Sequence, residues 1–182
     1  MKSKRPGVLL AAAVVLLSFA GAAHSANLCS AAILKGAYAF SAHGEVLGLL
    51  DSAGYHPLTT PQILDDVAIV KFDGSSQFAR TDFGNINGAP KGGQTTFNPD
   101  QSGAYTVNGD CTGTMTITYN SGVVLNLEMV VSDDGTLIKA IIATEIVPSI
   151  GPTADGTPCS ANCSEAVQVS LEGKKVVVFG FR

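Results

Sequence analysis

The 182-residue chain contains no Trp, and aromatic residues make up only 7% of it. A β-barrel that spans an outer membrane carries lipid-facing apolar bands and aromatic girdles, so this composition argues against one. Charged residues are also scarce, at 14%, against 46% hydrophobic. That balance excludes a disordered chain, which needs high charge and little apolar surface. Heptads rich in Glu, Lys and Leu are missing, so a coiled coil is excluded. The net charge of −4 leaves no broad basic surface, and no nucleic-acid partner is expected. There is no Gly-x-Ser-x-Gly elbow. The glycines at 84–88 and at Gly92-Gly93 do not form a phosphate loop leading into a helix.

One long apolar run is present, at the N-terminus. Lys2, Lys4 and Arg5 precede an Ala-, Val- and Leu-rich stretch from Val8 to Ala20, followed by the small residues Gly21, Ala22, Ala23, Ser25 and Ala26. This is the pattern of a secretory signal peptide. The run is shorter than the roughly 20 residues of a membrane-spanning helix. Residues 1–26 are therefore expected to be a cleaved leader, with the cut after Ala23, Ser25 or Ala26. Leu28, beside Cys29, is the wrong residue type for a lipobox. Loss of the leader leaves 8 basic against 15 acidic residues, a net charge of −7. Such a surface disfavours anionic membranes, and no membrane insertion of the mature chain is expected. The expected location is periplasmic or extracellular.

Export implies an oxidising compartment, and the four cysteines are even in number. The simplest pairing joins Cys29 to Cys111 and Cys159 to Cys163. The first would staple the N-terminus to the sheet. A zinc site needs clustered ligands in at least two places, and His43 and His56 lie far from the single Cys pair. No metal and no cofactor are expected. Asn162-Cys163-Ser164 matches a glycosylation acceptor, taken here as chance.

The rest of the chain, residues 27–182, reads as one domain of strands and turns. Thr112, Thr114, Thr116 and Thr118 alternate with Gly113, Met115, Ile117 and Tyr119, a period of two. Val123, Leu125, Leu127, Met129 and Val131 do the same after the turn at Asn120-Ser121-Gly122. Tyr38, Phe40, Ala42, Gly44 and Val46 share a face, as do Ala68, Val70 and Phe72. Asp73-Gly74-Ser75-Ser76 and Ser132-Asp133-Asp134-Gly135 read as hairpin turns. Gly48 to Gln62 reads as a long loop, with a turn of helix arguable over Val46 to Ser52. Residues 148–164 read as a Cys-bearing loop. Val167 to Leu171 and Lys175 to Phe179 read as a closing hairpin around Glu172-Gly173-Lys174. No segment reads as a sustained helix. Strands every 8–12 residues with short turns predict an all-β antiparallel meander. Roughly eight strands close a barrel wide enough for side chains or one small ligand.

The run Leu34-Lys35-Gly36-Ala37-Tyr38-Ala39-Phe40, the Phe72-Asp73-Gly74 turn and the segment from Tyr105 to Thr114 resemble small exported bacterial proteins of unassigned role. These in turn resemble the allene oxide cyclase-like barrels of the calycin-type architecture. The likeness covers most of residues 29–147. It implies a barrel with an apolar interior, the setting in which the plant cyclases close an unsaturated fatty-acid epoxide. None of their functional residues matches this chain one by one, so none is carried over.

Three functions are compatible with such a barrel. A binding protein would hold a small apolar ligand among Tyr38, Phe40, Ile117, Leu125, Leu127 and Met129. A cyclase- or isomerase-like enzyme would add an inward polar group, with Glu45, Arg80 and Glu128 as candidates. A structural or surface-interaction module would fill its interior and leave no cavity. Arg80 is suited to a ligand carboxylate, although Asp82, two residues on, suggests a surface ion pair. His43 and Glu45 share a face that alternation places outward. His56 precedes Pro57 and reads as a solvated loop residue.

Overall fold

The computed structural model of the chain describes residues 28–159 and 161–177. The expected leader lies outside them, as does the end of the expected hairpin at Phe179. The strands are β1 (Gly36–Asp51), β2 (Gly54–Phe72), β3 (Gln77–Ile86), the two-residue β4 (Ala89–Pro90), β5 (Asn98–Val107), β6 (Thr112–Tyr119), β7 (Val124–Val131), β8 (Leu137–Val147) and β9 (Cys163–Val176). All pairings are antiparallel. β2 pairs with β3, and β9 returns to β1, so eight strands close a ring with β4 outside it. The meander expected from the turn spacing is therefore a closed eight-stranded barrel. Closure removes sheet edges.

Alternation decides what faces inward. Tyr38, Phe40, Ala42 and Val46 of β1 are buried, as are Ala68, Val70 and Phe72 of β2. So are Met115 and Ile117 of β6 and Leu125, Leu127, Met129 and Val131 of β7. The Thr residues of β6 face outward, three of them exposed. One end of the barrel is filled. Phe72 lies edge-on to Tyr38 and Tyr105, with centroids 5.2 and 4.9 Å away, and Phe78 lies 5.5 Å from it. A short 3₁₀ turn, Ala31–Leu34, caps this end with Leu34 fully buried. Cys29 is bonded to Cys111, which holds the cap to the sheet. The Tyr38 hydroxyl donates to the Gly135 carbonyl, and the Tyr105 hydroxyl donates to Ala31 O at 3.2 Å.

Three local expectations are corrected. Gly48 to Gln62 is not a loop, and no helical turn forms over Val46 to Ser52. β1 and β2 continue as a hairpin to Asp51 and Gly54, with a register irregularity where Val46 pairs with Gln62 and Gly48 with Pro57. Glu172-Gly173-Lys174 is not a turn but the interior of β9. Gly173 pairs with Phe40, and a Cβ there would collide with the Phe40 ring. The glycine serves packing, and the chain runs straight on.

Candidate functional site

The end opposite the aromatic plug holds the chemistry. β3 places Phe78, Arg80 and Asp82 on one face, and that face is inside the barrel. Arg80 is 3% exposed and Asp82 0%, so the expected surface ion pair is an interior one. The Arg80 guanidinium donates through Nη1 to Asp82 Oδ2 at 2.7 Å, to Tyr119 Oη at 2.8 Å and to Gln101 Oε1. Through Nη2 it donates to Asp66 Oδ1 at 2.5 Å. Lys91, on the 3₁₀ turn Lys91–Gly93 after β4, reaches the same two carboxylates, 2.7 Å from Asp66 Oδ2 and 2.6 Å from Asp82 Oδ2. Gln101 Nε2 donates to Asp82 Oδ1, and Gln94 Nε2 donates to it at 3.3 Å. Two cations thus face two carboxylates in a low-dielectric interior, where such a set survives only if every member is bonded.

The pKa values follow. Burial pushes Asp66 up to about 6, against the pull of Arg80 and Lys91. Burial also opposes the charge of Asp82, but Arg80 and Lys91 outweigh it and hold that carboxyl below the usual range. Lys91 loses solvation too, yet Tyr119, Asp66 and Asp82 keep it firmly charged.

A second pair stands apart from this network. Glu145 of β8 and Glu165 of β9 are cross-strand partners, 8% and 7% exposed. Burial raises Glu145 to about 7, with Lys91 opposing, and burial together with the charge of Glu145 raises Glu165 to about 8. Glu145 Oε2 is buried with no hydrogen-bond partner among the described residues. Unbroken alternation from Ile138, Ala140 and Ile142 would turn Glu145 outward. An irregularity between Ile141 and Glu145 leaves Ala143 and Thr144 both exposed and brings Glu145 and Val147 inside. Such bulges re-aim side chains.

Between network and pair lies a cavity of about 450 Å³. Val46, Leu64, Leu125, Ile142, Val147 and Val169 give it apolar walls, and Arg80, Lys91, Tyr119, Glu145 and Glu165 give it polar points. Ser149 and Ile150 of the loop 148–162 also line it. That loop is pinned from two sides. Cys159 is bonded to Cys163. His56, from the β1–β2 hairpin, lies between two carboxylates, with Nε2 3.0 Å from Asp51 Oδ1 and Nδ1 2.8 Å from Asp155 Oδ2. Hydrogen bonds to Asp155 and Asp51 raise its pKa. It is no idle solvated residue.

The residues expected at the site divide into three groups. Arg80 and Leu125 line the cavity. Tyr38, Phe40, Ile117, Leu127 and Met129 are buried in the packed core and do not line it. Glu45 and Glu128 are exposed on the outer wall. His43, also outside, lies 2.7 Å from Asp65. Sequence reasoning missed Asp66, Lys91, Gln101, Tyr119, Glu145 and Glu165. Alternation extended backwards from Ala68, Gly103 and Val167 puts Asp66, Gln101 and Glu165 inside, and alternation forward from Ile117 puts Tyr119 there. No such signal exists for Lys91, which is on a turn, or for Glu145, whose facing depends on the bulge.

No group of three His, Cys, Asp or Glu side chains placed to hold a metal ion occurs among the described residues. No helix among them is long and apolar enough to cross a membrane. No protein-family model matches the chain, and no curated protein matches it. Among solved structures the chain is similar to one described as "Structure of EF1p2_mFAP2b bound to DFHBI", at 15% identity and a TM-score of 0.44, with 79% of this chain and 94% of that chain covered.

Proposed function

We propose that this is an exported barrel that binds one small molecule with an apolar body in the cavity at its open end. The observation that carries the reading is the cavity itself. A barrel that served only as a filled scaffold would pack both ends alike, whereas here aromatic rings fill one end and about 450 Å³ stays open at the other. A concave site with apolar walls and a few convergent polar groups is the usual form of a small-molecule site. The two disulfides suit an oxidising compartment. Exposed charges on the outer wall, among them Glu45, Asp65, Glu128 and Lys139, are unsuited to a lipid-facing surface.

A second reading is a cyclase- or isomerase-like enzyme using the same cavity, in line with the resemblance to allene oxide cyclase-like barrels. Glu145 favours it, because a buried carboxyl with a free oxygen is placed to move a proton.

Native mass spectrometry of the protein purified from the cells that export it tests the proposal. A stoichiometric small-molecule adduct is expected, and Val123→Phe, which narrows the cavity, should lower its occupancy. An adduct-free mass that persists after soaking with octanol, octylamine and octanoate would overturn it. Release of a compound different from the one supplied would favour the enzyme.

A further inference from the structure

Among the interior charges, those of one group cancel and those of the other do not. Arg80 and Lys91 are each paired with both Asp66 and Asp82. These four balance, and neither cation is left over for an incoming anion. Glu145 and Glu165 are a pair of like groups, and no ion pair to either is found among the described residues. They face each other across β8 and β9, both more than nine-tenths buried and both at the cavity wall. Glu145 Oε2 finds no donor among the described residues. A buried acceptor left unmade is costly, and two adjacent carboxyls cannot both ionise cheaply in a dry site.

We infer that the Glu145–Glu165 pair is the recognition point for an ammonium group, and that the cavity takes a small hydrophobic amine. This rests on the ligand-binding reading above. An ammonium carries three N–H donors and the missing positive charge. It would satisfy Glu145 Oε2 and allow both carboxyls to ionise. The alkyl or aryl body would then lie against Leu125, Ile142, Val147 and Val169. A fatty acid is the wrong partner, because its carboxylate would meet two acidic side chains and two cations already spoken for. A metal ion would find only two carboxylates here, short of the ligand sets such ions take.

The charged and titratable groups that share the cavity with the pair are Lys91, Asp66, Arg80 and Tyr119. Lys91 is the cation that acts on Glu145. It is held by Asp66 and Asp82, so the proton balance of binding falls on the two glutamates.

Isothermal titration of the purified full-length exported protein at pH 7.5 provides the test, with octylamine, octanol and octanoate as probes of equal chain length. Octylamine should bind at least about tenfold more tightly than octanol, the scale of a charge-assisted hydrogen bond, with octanoate weakest. Repeating the octylamine titration in phosphate and in Tris, whose ionisation enthalpies differ, should show proton release. Glu145→Gln with Glu165→Gln should abolish the preference for the amine over octanol. Wild-type protein gives an arm independent of the variant's folding, since the amine's advantage should shrink at pH 5. Octanol binding as tightly as octylamine, or a preference that survives the double substitution, overturns the amine assignment and leaves the binding barrel standing. Failure of all three probes to bind folded protein overturns both.

Discussion

Arg80 shows what a single residue does when a barrel buries it. Its guanidinium bonds four polar residues drawn from β2, β3, β5 and β6, and Lys91, on the turn after β4, shares two of them. Stability does not come simply from adding attractions here, because desolvation of the ions offsets much of the Coulomb gain. The network is instead sensitive to losing one member. Arg80→Met keeps the volume roughly constant but leaves Lys91 alone to face Asp66 and Asp82, and deprives Gln101 and Tyr119 of a donor. The expected cost is about 3–5 kcal/mol, the scale for breaking a buried pair, read from urea unfolding. A cost under about 1 kcal/mol would mean that water reaches these carboxylates and that they sit in no dry interior. Adding Asp66→Asn to Arg80→Met should recover part of the loss, because Lys91 and Asp82 then remain as one balanced pair.

Elements show which sequence signals are local and which are not. The face of a strand was legible wherever alternation ran unbroken, as in β6, β7 and the first half of β1. It was lost at irregularities, and these govern the site. Glu145 faces inward only because Ala143 and Thr144 take two exposed positions in succession, and nothing in Ile141-Ile142-Ala143-Thr144 marks that slip. Glycine misled in the opposite direction. Glu172-Gly173-Lys174 has the composition of a turn, yet Gly173 is a cross-strand partner for an aromatic ring, a pairing that compensates for glycine inside a strand. Gly103 stands in the same relation to Phe78. The contact that decides the structure lies more than 130 positions away in sequence for Gly173, so no local pattern reveals it. Gly173→Ala should therefore destabilise by about 1–3 kcal/mol, an overpacking cost. Combining it with Phe40→Leu should cost less than the sum of the two single changes. A neutral Gly173→Ala in thermal unfolding would show that the ring moves aside freely.

At the scale of the whole molecule, the two ends of the barrel answer differently to pH. The filled end is insensitive between pH 4 and 9, because Asp73 and Asp134 there are held below the usual carboxylate range by hydrogen bonds within their turns. The open end carries Glu145 and Glu165, which hold protons in the folded state up to about 7 and 8 and release them near 4.3 when unfolded. Between those limits the folded chain binds more protons than the unfolded one, so its stability falls as pH rises. Asp66, raised to about 6, adds to the fall over the lower part of that range. His56, raised by its two carboxylates, also loses its contribution as pH climbs through its folded value, which loosens the loop at the mouth. Asp134 works the other way. Held down to about 2 by Ser132 and Thr136, it stabilises above pH 4 and fails only in acid. The balance places maximal stability near pH 5 rather than at neutrality, with a loss of the order of a few kcal/mol by pH 8.5. Thermal unfolding across pH 4 to 9 should show that decline, and Glu145→Gln with Glu165→Gln should flatten most of it. A midpoint that rises from pH 5 to 8.5 would mean the pair is ionised in the empty barrel. Octylamine should raise the midpoint more at pH 8 than at pH 5, because it binds the deprotonated pair that alkaline pH exposes.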